Sequence, residues 1–157
     1  MKIFKTTKIA IVILFFCMNI QGYAQDNLLC KGSIVNIIGI GGRTGSDEFA
    51  IGGSVNAALL NLTKSLADRG VREGIRVNAI NPGAILTDRL LNRVRSFALE
   101  HGIDEAAAPA LMAQSFGVAR FGVPEEIAHM VAFLASPLGG FCQGSIIDID
   151  GGQTRTL

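Results

Sequence analysis

The chain has 157 residues, 49% of them apolar and 17% charged, with a net charge of +1. That is enough length and apolar content for one domain with a buried core, and it excludes a disordered chain. Acids and bases are interspersed, which gives no electrostatic footprint for nucleic acid or for an anionic membrane surface.

Met1 to Gln25 reads as a leader. Lys2, Lys5 and Lys8 form a basic start, Ile9 to Met18 an apolar run, and Gly22-Tyr23-Ala24 places small residues three and one positions before a cut after Ala24. The run is shorter than the ~20 residues that cross a bilayer, so no stable membrane span is expected. The expected division is a signal-like segment, 1–24, followed by a domain, 25–157. The product is secreted or periplasmic if the leader is used and cytoplasmic otherwise. A buried strand or helix of the domain is the other reading of the apolar run.

Three cysteines are present without a CxxC, and His101 and His129 lie far apart, so a metal site has no support. Export permits a disulfide between Cys30 and Cys142, and two buried thiols is the favoured alternative.

Ser33 to Ile38 is a β-branched run ending in glycines, as in a buried parallel strand. Gly39 to Gly45 is a turn. Ser54 to Asp68 carries Ala58, Leu59, Leu62 and Leu66 at helical spacing and stops at Gly70, a candidate C-cap. Its Asn61-Leu62-Thr63 sequon falls on a helix expected to be packed, which speaks against glycosylation. Ile75 to Ile80 is a second strand, stopped by Asn81-Pro82-Gly83. Asp88 to Glu100 and Glu105 to Ser115 read as helices in a mobile insertion. Pro124 to Ala135 reads as a helix with Pro at its first position and Glu125 and Glu126 at its positive end. Ser145 to Ile149 is a last strand. This alternation predicts an α/β fold with a parallel sheet and right-handed crossovers.

Five stretches carry a resemblance: GSIVNI (32–37), NAALLNLTKSLA (56–67), GIRVNAINPGAILTD (74–88), RFGVPEEIAHMVAFLAS (120–136) and GSIIDIDGG (144–152). Their order and spacing are similar to the C-terminal half of the short-chain dehydrogenase/reductase family. The resemblance implies a Rossmann-like, doubly wound parallel sheet, truncated, with the first βαβαβ half missing and the signal-like segment in its place. It also implies NAD or NADP as cofactor, bound at the carboxyl ends of the strands. Pro82, Gly83 and Ile85 would line the nicotinamide ring. Thr87 would contact the carboxamide or a phosphate oxygen.

The family's chemistry uses a Tyr as proton donor, a Lys four residues later that lowers the Tyr pKa, and a Ser that holds the substrate oxygen. By resemblance those positions are Gly52 (Tyr), Asn56 (Lys) and Gly39 (Ser). No catalytic residue can therefore be assigned, and the chain's one tyrosine, Tyr23, lies in the signal-like segment. The strand and Gly-rich turn that hold the pyrophosphate are missing, as are the residues that choose NAD from NADP. Gly39, Gly41 and Gly45 give GxGxxxG and not the dinucleotide GxGxxG, and the stretch aligns with the substrate loop.

Three functional readings follow. The first is an NAD(P)-dependent oxidoreductase of carbonyl or alcohol substrates by descent, catalytically impaired, so that cofactor binding itself is in doubt. The second is a non-enzymatic secreted or periplasmic dimerising module. The third is a fusion remnant. Without the first half, the strand at 33–38 is expected to leave an apolar edge. In the family the 54–68 helix lies in a dimer interface, which implies a homodimer or homo-oligomer here.

Overall fold

The computed structural model describes residues 31–155 and the backbone of Val12–Phe16. Among the described residues, four strands make one sheet in the order β1-β2-β3-β4: β1 Val12–Phe16, β2 Gly32–Ile37, β3 Ile75–Pro82 and β4 Ile146–Ile149. β2, β3 and β4 are mutually parallel. The helices are α1 Ala50–Glu73, α2 Asp88–His101, α3 Ala108–Ser115 and α4 Pro124–Ala135. This is a Rossmann-like α/β arrangement with every expected strand and helix in its expected order.

Successive strand residues point to opposite faces, and that alternation builds the layers. Val35 and Ile80 pack with Ile127 and Leu134 of α4 on one face. On the other, Asn36 Nδ2 donates to Thr63 Oγ1 of α1 at 2.9 Å, and the fully buried Thr63 hydroxyl donates onward to Leu59 O. A second apolar cluster lies beyond the carboxyl end of β3, where Leu90, Val94 and Ala98 of α2 meet Ala108 and Met112 of α3.

Buried polar groups tie these layers together. Arg76 of β3 donates to Leu134 O at 2.6 Å, Gly139 O at 2.8 Å and Ser136 O at 3.1 Å, closing the carbonyls left open where α4 ends. Gln143 donates to Ala67 O and Ile75 O and accepts from Val77 N–H, joining α1, β3 and the loop before β4.

The structure departs from the sequence expectations in three places. The middle of the apolar run, Val12–Phe16, forms an edge strand that pairs antiparallel with β2, Val12 opposite Ile37 and Phe16 opposite Ser33. The edge of β2 is therefore covered, and the strand alternative describes this stretch. The rest of the signal-like segment, with Cys30, lies outside the described residues.

Second, α1 does not stop at Gly70. It runs to Glu73, and Gly74, at φ 71°, supplies the left-handed C-cap. Gly70 lies buried inside the helix, where a Cβ would collide with the carbonyl oxygen of Ile75. Third, the stripe that faces the sheet is Thr63, Ala67 and Gly70. Leu62 is 47% and Leu66 37% exposed, and within the sequon Asn61 is exposed while Thr63 is fully buried against the sheet.

Candidate functional site

A cleft of about 1430 Å³ opens at the carboxyl ends of β2 and β3, with α2 and α4 as walls. Crevices of this kind, at strand ends in open α/β sheets, are where such folds bind ligands. Pro82, Gly83, Ile85 and Thr87 all line it. They form the chain's turn out of β3. Gly83 N–H bonds Ile149 O, and a side chain at 83 would meet the backbone of Asp150 at 2.7 Å. Ile85 then pairs with Gly122 in an isolated parallel bridge. Ala84 O and Leu86 N–H bond Gly122, and Thr87 N–H bonds Ile85 O, which leaves Ile85 N–H without a partner among the described residues. Thr87 is the N-cap residue of α2, yet its hydroxyl caps no backbone group. A donor and a hydroxyl thus stand on the cleft wall uncommitted to the fold.

Of the three positions where the resemblance expects Ser, Tyr and Lys, Gly39 and Asn56 come together, while Gly52 lies one turn before Asn56 on α1. Asn56 Nδ2 donates to Gly39 O at 3.5 Å, and Gly39 N–H donates to Asn81 Oδ1 at 3.4 Å. Asn81 is fully buried and donates to Asp148 Oδ1 at 2.9 Å, while Arg43 lies 3.4 Å from the same carboxylate oxygen. Gly39 sits at φ 134°, where an L side chain is strained, and a Cβ there would lie 3.3 Å from Asn56 Nδ2. This backbone is therefore built for glycine, not for a serine hydroxyl.

Gly52 is enclosed differently. Its side-chain space is taken by the ring of Phe49, which also lies 2.8 Å from where a Cβ of Gly41 would stand. Gly41 and Gly52 together form a slot for that ring. The GIGGRTG turn shows its own reason for glycine: Gly42 would press a Cβ against the backbone of Asn56 and Ala57 at 2.9 Å. Its Ile40–Gly42 portion is a single short helical turn packed on α1.

Residue-type reasoning missed Phe49, which lines the cleft, although its i, i+3 spacing to Gly52 at the start of a helix was a usable signal. It also missed Arg89 and Arg93, one helical turn apart and both on the cleft wall, and Gln153, whose buried Oε1 has no partner. Among the described residues no group of His, Cys, Asp and Glu is placed to hold a metal, and Cys142 is a half-buried free thiol. No helix among them is long and apolar enough to cross a membrane.

Known proteins share this arrangement. A family model described as enoyl-(acyl carrier protein) reductase matches residues 5–154. Acetoacetyl-CoA reductase of Shinella zoogloeoides is 42% identical over 122 residues, 78% of this chain and 46% of that protein. The structure of L-sorbose reductase from Gluconobacter frateurii, complexed with NADPH and L-sorbose, superposes with a TM-score of 0.74 at 31% identity, covering 80% of this chain and 48% of that one. A short-chain oxidoreductase of Pseudomonas aeruginosa PAO1, described as containing an atypical catalytic center, superposes with a TM-score of 0.74 at 29% identity, covering 80% and 48%. The chain spans about half the length of the curated relatives it matches.

Proposed function

Because the chain belongs to the short-chain dehydrogenase/reductase family, we propose that its cleft is the nicotinamide- and substrate-facing half of an NAD(P)-dependent oxidoreductase site for carbonyl or alcohol compounds, impaired in proton transfer. One observation carries this reading. The Pro82–Thr87 turn presents an unpartnered Ile85 N–H and a free Thr87 hydroxyl to a cleft at the carboxyl end of the sheet. A flat carboxamide needs a donor for its oxygen and an acceptor for its amino group, which an N–H and a hydroxyl can supply, and the tight Pro-Gly turn lets backbone approach the ring. When bound, the cofactor supplies the hydride. The chain's own residues would orient the ring and exclude water with Ile85, Ile127 and Val131.

Gly39, Gly52 and Asn56 supply neither an acid nor a charge that would tune one. Support for cofactor binding beside an unusual site comes from the Pseudomonas oxidoreductase described as containing an atypical catalytic center, of which there is an NADPH-bound structure. The test is a fluorescence titration of the full chain with NADH and NADPH. Micromolar binding, weakened by Thr87→Val, is expected. Folded protein that binds neither cofactor overturns the reading.

A second reading, a non-enzymatic dimerising module, draws on one side of α1, where Ile51 (72%) and Leu62 (47%) are exposed. Apolar exposure of that kind is a feature of interaction faces. Sedimentation of the full chain distinguishes a dimer from a monomer, and a dimer that binds no NAD(P)H favours this reading.

A further inference from the structure

The arginines of the described residues divide by what they hold. Arg43, Arg69, Arg72, Arg95 and Arg120 each have a carboxylate partner, and Arg76 holds three carbonyls. The side chains of Arg89, Arg93 and Arg155 have neither a hydrogen bond nor an ion pair among the described residues, and of these Arg89 and Arg93 line the cleft. They lie at i and i+4 in the first two turns of α2, so they share one face of the helix at the positive end of its dipole. Arg93 is also held in place: its guanidinium lies over the Phe116 ring, 5.9 Å from the centroid, and Phe116 is itself a wall of the cleft. Around them the wall is apolar, with Ile38, Ile40, Phe49, Ile85 and Leu90, and Glu48 is the one acid among the lining residues.

A guanidinium is more weakly hydrated than an ammonium and presents a fork that fits an oxyanion in two places at once. We propose that the cleft takes a substrate with an apolar body and an oxyanion end, a carboxylate or a phosphate, and that Arg89 and Arg93 receive that end. The proposal deepens the reading of the cleft given above and uses it only to place the ligand. The cofactor diphosphate is the other source of an oxyanion in such a site, and the experiment separates the two.

The probes are phenylpyruvate and its neutral counterpart phenylacetone, titrated by calorimetry into the full chain without cofactor. Two charge contacts from exposed arginines should give the acid about a five- to thirtyfold tighter Kd than the ketone. The Arg89→Gln/Arg93→Gln double variant should lose that preference while its phenylacetone affinity and melting temperature stay unchanged. In the native chain the preference should shrink as salt rises from about 0.05 to 0.5 M. Equal affinities for the two probes, or no binding of phenylpyruvate to folded chain, overturn the proposal. So does a double variant that keeps the acid preference and loses NADPH affinity, since the arginines then serve the diphosphate. A chain that fails to bind NADPH but shows the acid preference leaves this inference standing while the oxidoreductase reading falls.

Discussion

The ring of Phe49 stands where a side chain at Gly52 would begin. The two residues are therefore one unit: glycine at 52 is what lets the aromatic ring lie against the start of α1, and the ring fills the volume at the position where the resemblance expects a proton donor. Ordinary helix propensity says Gly52→Ala should help, by about 0.5–1 kcal/mol. Here the new methyl must displace the ring, which costs about 1–3 kcal/mol as overpacking. The substitution is expected to destabilise the native chain and to stabilise a Phe49→Ala background. A double-mutant cycle by urea unfolding reads this change of sign directly, and additive effects would show that the ring and Gly52 are independent.

The sheet and helices were legible because their signals are periodic and local. The β-branched runs at 33–38 and 75–80, and Pro124 followed by two acids, say strand and helix without help from tertiary structure. The end of α1 was not legible. Gly70 looks like a C-cap from its residue type, but its role is set by the Ile75 carbonyl that approaches it after the chain has turned back. The sheet-facing stripe misled for a related reason: Thr63 is the buried residue because Asn36 on a neighbouring strand supplies its hydrogen bond, a contact that helical spacing cannot show. At the candidate site, the Pro82–Thr87 turn was readable as a motif. The slot for Phe49 and the unpaired state of Arg89 and Arg93 depend on what lies across the cleft.

Gly70 carries the second prediction. Replacing it with Ala adds a methyl directly into the backbone oxygen of Ile75, and neither α1 nor β3 can yield without disturbing Gln143, which bonds Ala67 O and Ile75 O. The expected loss is about 3 kcal/mol or more, at the upper end of overpacking costs, despite the gain in helix propensity. Urea unfolding of Gly70→Ala measures it. A stability equal to or above that of the native chain would mean the helix shifts freely.

Arg76 joins β3 to the end of α4. With Arg76→Met the three carbonyls of Leu134, Ser136 and Gly139 lose a charged donor in a buried setting. Hydrogen bonds to charged groups contribute about 1.5–3 kcal/mol each, and they are not additive, so a total loss of about 3–5 kcal/mol is expected. Arg76→Lys should recover only part of it, because an ammonium lacks the planar fork that reaches all three oxygens. Hydrogen exchange should show the last turn of α4 opening before the sheet. Uniform loss of protection across the chain would contradict that order.

The entry to α4 sets a pH dependence whose sign is fixed by Glu126. Arg120 grips both of its carboxylate oxygens, at 2.7 and 2.9 Å, and Val123 N–H donates to one of them at 2.9 Å. The hydrogen bond from Arg120, and then that from Val123, hold the Glu126 carboxyl down from its ordinary 4.5 to about 2. A folded pKa below the unfolded one means that the stabilisation is fully present above about pH 4.5 and is lost as pH falls through 2. Glu126→Gln keeps an acceptor but removes the titration. The difference in unfolding midpoint between native and variant chains should therefore be largest near neutral pH and should shrink between pH 4.5 and about 2. A difference that stays constant over that window would show that the carboxylate's charge adds nothing beyond its hydrogen bonds.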